Sequence, residues 1–290
     1  MTSDDLVGGD WLEANRRNWD ERVPVHLQSD FYDQSALRAG AGQLYPLEEA
    51  ELAALFPGGW AGKRVLHLQC HFGADTLVLA QRGAAVVGLD FSHEAIVAAR
   101  KLAAEVGLDS RARFIEGNIY DARHLLPQPG SFDVVFTTWG TIGWLPDVEE
   151  WARIVAWFLK PGGCLYFVDG HPTAWVFTAA TGAGSEAMPV MFYPYDTAGV
   201  ADVEDDPHDY ADKSVVLANA RTHSWMHPLG STVSALLAAG LHLESLTEHY
   251  EVPFRMYPVL EPTPDRMYRW PRERWLPLAV SIVARSPLTS

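Results

Sequence analysis

No apolar run in this 290-residue chain approaches the roughly 18 residues that a membrane-spanning helix needs. The first residues, Met1 to Asp5, carry acids where a secretory signal would carry positive charge. Both absences make the cytoplasm the expected location. Positive charge is scarce throughout: 22 Lys and Arg face 37 Asp and Glu, a formal net charge of -15. Such a surface repels polyanions, so nucleic acid and anionic membrane surfaces are not expected partners, and the expected substrate is small. Cysteine is nearly missing. Cys70 and Cys164 both lie in apolar runs and read as buried, reduced thiols rather than a disulfide framework. His67, Cys70 and His71 invite a metal reading, but His67 falls inside a strand and leaves only two ligands to converge, so no metal is expected. Glycines are missing where a dinucleotide fingerprint G-x-G-x-x-G would place them, at Gln69, His71 and Ala74, which disfavours a nicotinamide-dependent oxidoreductase.

What is present is a repeated strand-helix rhythm. Arg64 to Leu68 is an apolar run that breaks at the loop Gln69-Cys70-His71-Phe72-Gly73; a helical pattern follows to Gln81, and a second apolar run ends at Asp90. This β-α-β unit places the Asp90 carboxylate where it can accept two hydrogen bonds from a ribose diol. Ser92 is a candidate N-cap for a helix carrying Ala95, Ile96, Ala99 and Leu102 and closed by Gly107. Strands are expected at Arg113 to Glu116 and Phe132 to Phe136, then a helix capped by Asp147, then a strand from Cys164 to Asp169 after Lys160-Pro161-Gly162-Gly163. Residues 171–214 break the rhythm with Gly, Pro, Thr and acids, and read as a lid with one strand at Ser214 to Ala220. A helix from Leu229 to Ala239 and strands at Leu241 to Tyr250 and Leu278 to Ala284 resume it, around a second insertion, Glu251 to Trp275, dense in Pro and aromatics. No internal repeats occur.

At Val65 to Thr76, Asp90, Gly117-Asn118 and Pro161-Gly162-Gly163 the chain resembles the class I S-adenosylmethionine (SAM) dependent methyltransferases, whose first motif reads roughly V-L-D-x-G-C-G-x-G. Gly73 and Cys70 keep their places in it. His67 stands where an acid is usual, and Gln69 and His71 stand where glycines are. The resemblance covers residues 62–170 closely and 228–285 more loosely. It implies an α/β fold: a seven-stranded, mostly parallel Rossmann-like sheet with helices on both faces, an antiparallel last strand and lid insertions. It also implies SAM as cofactor and S-adenosylhomocysteine as product. The loop of Gln69, Cys70 and Gly73 would cradle the methionine part, Thr76 would add a hydroxyl, Asp90 would hold the ribose and Phe91 would flank the adenine. Asn118 would accept from the adenine amine beside Ile119, and Thr138 and Trp139 would line the methionine side.

The expected organisation is an N-terminal helical cap (1–61), a SAM-binding core (62–170), a lid and substrate insertion (171–227) and completion of the core (228–290) around a second insertion (251–275). The lids and the N-terminal part are rich in Trp and Tyr, among them Trp19, Trp144, Trp175, Trp225 and Tyr193, so an aromatic-walled pocket for an apolar or aromatic acceptor is expected. Methyl transfer from a sulfonium needs alignment, exclusion of water and, for many acceptors, removal of a proton. His171 and His227 are the candidate bases. Two alternatives use the same pocket: rearrangement or cyclisation without methyl transfer, and SAM binding without turnover. Oligomeric state is not legible in the sequence.

Overall fold

A computed structural model describes residues 3–179, 184 and 187–288. Seven strands form its central sheet: β1 (Arg64–Leu68), β2 (Ala85–Asp90), β3 (Ala112–Glu116), β4 (Phe132–Thr138), β5 (Leu159–Gly170), β6 (His242–His249) and β7 (Ala279–Arg285). Their order is β3-β2-β1-β4-β5-β7-β6. The first five neighbours pair in parallel, and β7 is antiparallel to both β5 and β6. The order reverses between β1 and β4, and a crevice opens outside their C-terminal ends, where ligands of such sheets bind.

Alternation along the strands divides the core in two. Leu66, Leu68, Val135, Leu165 and Phe167 face one side, where they meet Trp151, Ile154, Val155 and Phe158 of helix α5 (Val148–Phe158). Val65, Val134, Phe136, Cys164 and Tyr166 face the other, against α3 (Ala74–Gln81) and α4 (His93–Glu105). Burial on both faces is what the unbroken apolar β4 requires. The other long helices among the described residues are α1 (Asp10–Gln28) and α2 (Pro46–Leu55) ahead of the sheet and α6 (Leu229–Ala238) before β6, with a one-turn helix at Pro172–Trp175 after β5.

Local signals end the elements as expected. Ser92 Oγ accepts from the Ala95 N–H and the Asp147 carboxylate from the Glu150 N–H, each capping its helix, and Gly107 closes α4 in the left-handed region at φ 68°. β5 starts earlier than expected, at Leu159, so the Pro161-Gly162-Gly163 turn lies within it. The expected strand at Ser214 to Ala220 does not form. The Asp212 side chain accepts from Ser214 N–H and binds its hydroxyl, making a turn, and only an isolated bridge joins Val216 to His208. Pairing falls later, between Asp202–Asp205 and Arg221–Ser224. The second insertion builds its own small core from Val252, Tyr257, Leu260, Trp270 and Leu278. Residues 180–183 and 185–186 of the first insertion lie outside the described residues.

Candidate active site

The loop after β1 holds the backbone shape of a glycine motif with only the last of its glycines, Gly73. Gln69 (φ 58°), His71 (φ 50°) and Gly73 (φ 74°) all lie in the left-handed region. A side chain there costs about 1 kcal/mol or more, and such strain gathers at functional sites. Interactions hold each strained residue. Gln69 Nε2 donates to Thr141 O at 2.9 Å, and the His71 N–H donates to Asp90 Oδ2 at 2.8 Å. Trp139, after β4, is also left-handed at φ 46°.

Asp90 ends β2, 6% exposed, and its second oxygen accepts from the Ser92 N–H at 3.0 Å. Burial pushes its carboxyl up to about 6 against these two hydrogen bonds. Phe91 beside it is half-buried. Thr76, expected to face the cofactor, turns into the core: it is fully buried, and its Oγ1 lies 2.7 Å from His67 Nδ1. His67 is thus a buried, hydrogen-bonded histidine, its pKa lowered by burial to about 3. The helix turn aims Thr76 at the sheet and Asp75 toward the buried Glu48. Asn118 is also engaged otherwise than expected. Its Nδ2 donates to Leu6 O at 2.7 Å and its Oδ1 caps the following turn through the Tyr120 N–H at 3.2 Å. Leu6 and Trp11 pack with Ile119 and Tyr120, so the N-terminal segment lies over this end of the crevice. Cys70 is a buried free thiol with its pKa raised well above normal by burial, and Thr138 is buried at the end of β4.

At the opposite end the structure adds residues that no local pattern marked. Glu48, in the first turn of α2, is fully buried; one carboxylate oxygen accepts from the Tyr45 N–H at 3.2 Å, and the Trp139 indole N–H also faces the carboxylate. Burial, then the Asp75 charge, pushes its pKa well up, and burial raises that of Asp75 to about 6. Tyr45 meets Trp139 edge-on at 6.2 Å, and the Arg266 guanidinium lies 5.6 Å from the Tyr45 ring centre. Among the described residues Gln69 Oε1 is buried without a partner, while the Trp139 indole N–H is directed at the Glu48 carboxylate. Buried polar atoms left unpaired call for a ligand. The acceptors Gln69 Oε1, Glu48 and Asp75, with the Asp90 carboxylate at the end of β2, fit SAM, whose methionine end carries an ammonium and whose ribose carries a diol.

A second missed group joins the loop to distant parts of the chain. His71 Nε2 lies 3.3 Å from His26 Nδ1, His26 Nε2 lies 3.1 Å from Asp209 Oδ2, and Arg22 Nη1 donates to the same oxygen at 3.0 Å. Burial lowers the pKa of both His26 and His71. Burial works to raise the Asp209 carboxyl, but His26 and Arg22 more than offset it and hold it below its ordinary value. Two neutral imidazoles and a carboxylate satisfy this network: His71 donates to His26, which donates to Asp209.

Beside the crevice lies a cavity of about 750 Å³ walled by Trp144, Phe167, Trp175, Phe177, Tyr193 and Trp225. The segment Trp139 to Trp144 separates the two, since Gly140, Ile142 and Trp144 line the cavity while Thr141 O holds Gln69. Asp169 fixes this segment by accepting from the N–H groups of Gly140 at 2.7 Å and Thr141 at 3.0 Å. His227 lines the cavity. Its Nε2 donates to Leu145 O at 2.7 Å, leaving Nδ1 as the acceptor, and burial lowers its pKa so that the ring is neutral near pH 7. His171, the other candidate base, is not among the lining residues. Its Nδ1 accepts from the Thr173 N–H at 3.1 Å, and its Nε2 faces Glu248 of β6 at 3.3 Å.

Comparison with known proteins bears on the fold and the cofactor class. Residues 65–163 match the family model described as a methyltransferase domain. The chain is similar to a ubiquinone biosynthesis O-methyltransferase of Stutzerimonas stutzeri, 28% identical over 194 residues, covering 66% of this chain and 73% of that one. A SAM-dependent methyltransferase of Mesorhizobium loti superposes with a TM-score of 0.56 at 23% identity, covering 82% of this chain and 97% of the other. A glycopeptide N-methyltransferase solved with SAM superposes with a TM-score of 0.51 at 18% identity, covering 83% and 93%. The chain carries a methyltransferase domain on the fold of the class I SAM-dependent methyltransferases.

Proposed function

We propose that this chain, a SAM-dependent methyltransferase by domain and fold, transfers the sulfonium methyl of SAM to a small molecule seated in the aromatic-walled cavity. The observation that carries this reading is the shared wall: the crevice and the cavity meet across the segment from Trp139 to Trp144. SAM supplies a methyl group already activated by a positive sulfur. The chain's own residues then hold, align and dehydrate. Asp90 accepts from the ribose diol, and Glu48 and Asp75 meet the ammonium, the Trp139 indole N–H steadying the Glu48 carboxylate. Trp144 and Trp225 exclude water from the acceptor. His227 Nδ1 takes the proton that a hydroxyl or amine gives up at transfer, and its depressed pKa keeps it neutral for the task. His171 accepts from the Thr173 N–H as the cap of the short turn Pro172–Trp175 and serves no step.

Calorimetry with S-adenosylhomocysteine tests the first half. The expected result is saturable binding to the wild type and a loss of about tenfold or more in Asp90→Ala, the worth of charge-assisted hydrogen bonds of about 1.5–3 kcal/mol. No binding to the wild type would overturn the reading. A screen of small acceptors for release of S-adenosylhomocysteine tests the second half. Conversion of a substrate with SAM left intact would replace transfer by rearrangement, and His227→Ala with an unchanged kcat from pH 6 to 9 would remove His227 as base.

A further inference from the structure

The charged residues that line the cavity are Asp169, Asp196, Asp202 and Glu204, and no Lys or Arg lines it among the described residues. Their placement follows from the two-stranded ribbon over the cavity mouth, in which Asp202 pairs with Ser224 and Glu204 with Thr222. Side chains two apart on a strand share a face. Asp202 and Glu204 therefore point with Ser224 toward the cavity, while Val203 and Asp205 point away. Arg221, the ribbon's cation, lies opposite Asp205 on the outer face and donates to its carboxylate at 2.9 Å from both Nε and Nη2. The inner acids are left without a neutralising partner. Asp202 is half-buried, and no hydrogen bond or ion pair engages its carboxylate among the described residues. Glu204 accepts from the Tyr193 hydroxyl at 2.8 Å, which ties one carboxylate to one aromatic wall. Asp169 is saturated by backbone N–H groups and adds only its field.

Aromatic faces attract cations, and more strongly where water is excluded; carboxylates over such faces add a directional partner. An anionic acceptor would meet four carboxylates and no compensating charge. Resting on the methyltransferase reading above, we propose that the acceptor is a small molecule bearing a protonated amine. Its ammonium is held by Asp202 and Glu204 against Tyr193 and Trp225, and its apolar body fills the cavity. The ammonium is the recognition group, and the atom that is methylated reaches the crevice past Trp144.

Calorimetry on the protein, first titrated with S-adenosylhomocysteine, tests this with two matched series. One is tyramine, tyrosol and 4-hydroxyphenylacetate, and the other is tryptamine, tryptophol and indole-3-acetate. Within each series the ring is constant and the end group is cationic, neutral or anionic. The expected result is that each amine binds about tenfold tighter than its alcohol, with the acid weakest. In the variant Asp202→Asn/Glu204→Gln the preference falls to within about twofold, and binding of S-adenosylhomocysteine is unchanged. Equal binding within a series, preference for the alcohol or acid, or no binding of any probe overturns the proposal. So does an amine preference that survives the double variant. Failure of the first titration, with S-adenosylhomocysteine, is a separate result that sinks the methyltransferase reading instead.

Discussion

Asp90 shows how much a single residue's meaning depends on its surroundings. Its place after a β-α-β unit is legible in the chain, but its pKa of about 6 comes from burial that only the fold supplies. A diol donates to the ionised carboxylate, so S-adenosylhomocysteine affinity should hold above pH 7 and weaken as pH falls through about 6, by up to about tenfold per unit. The same group acts oppositely on the free protein. Its folded pKa lies above the ordinary value near 3.9, so its contribution to stability is present at acid pH and lost as pH rises through about 6. Binding curves at pH 5, 6, 7 and 8 check this, and a flat series would show that Asp90 does not carry the ligand. Thr76 and Asn118 are the contrary cases. Both occupy family positions, yet the first pairs with His67 and the second with the Leu6 carbonyl, because side-chain direction depends on neighbours that spacing does not name.

Elements were the most legible scale. Caps at Ser92 and Asp147, the closing Gly107 and the alternation of β4 each rest on contacts within a few residues, which is why the chain alone reveals them. The loop after β1 is the instructive exception. Its departures from glycine suggest a different backbone, but Gln69 and His71 keep the left-handed shape because Thr141 O and Asp90 hold them there. Gly73 differs from both, since a Cβ there would lie 2.5 Å from Phe114 Cε1, with φ at 74°. Gly73→Ala should therefore cost about 2 kcal/mol or more by strain and overpacking, read as a lower urea midpoint, and should weaken S-adenosylhomocysteine binding. Gln69→Gly relieves strain and should leave the midpoint within about 1 kcal/mol of wild type. The strand expected at Ser214 to Ala220 was lost to a turn that the Asp212 side chain makes, a local competition that alternation does not register.

Across the whole molecule, the N-terminal helices and the first insertion are joined through buried charge. Arg22 and Asp209 are 187 residues apart and pair with 9% and 0% of their side chains exposed, while His26 carries the connection to His71. Removing one partner strands the other in the interior, so Asp209→Asn should cost about 3 kcal/mol at pH 7 by urea unfolding. Because the Asp209 carboxyl is held below its ordinary value, the wild type's advantage should be present above pH 4 and vanish as pH falls further. An unchanged midpoint at pH 7 would show that the insertion is not anchored there. By itself the sequence determined the periodicities and the caps, which rest on local chemistry repeated along the chain, while the cofactor class came from the resemblance of its motifs to a known family. Only the tertiary structure decided that the Asp75 charge bears on Glu48, that His26 links Asp209 to His71, and that the cavity's acids face inward with Arg221 turned out. Those juxtapositions depend on how distant segments pack, and no spacing along the chain encodes a direction in space.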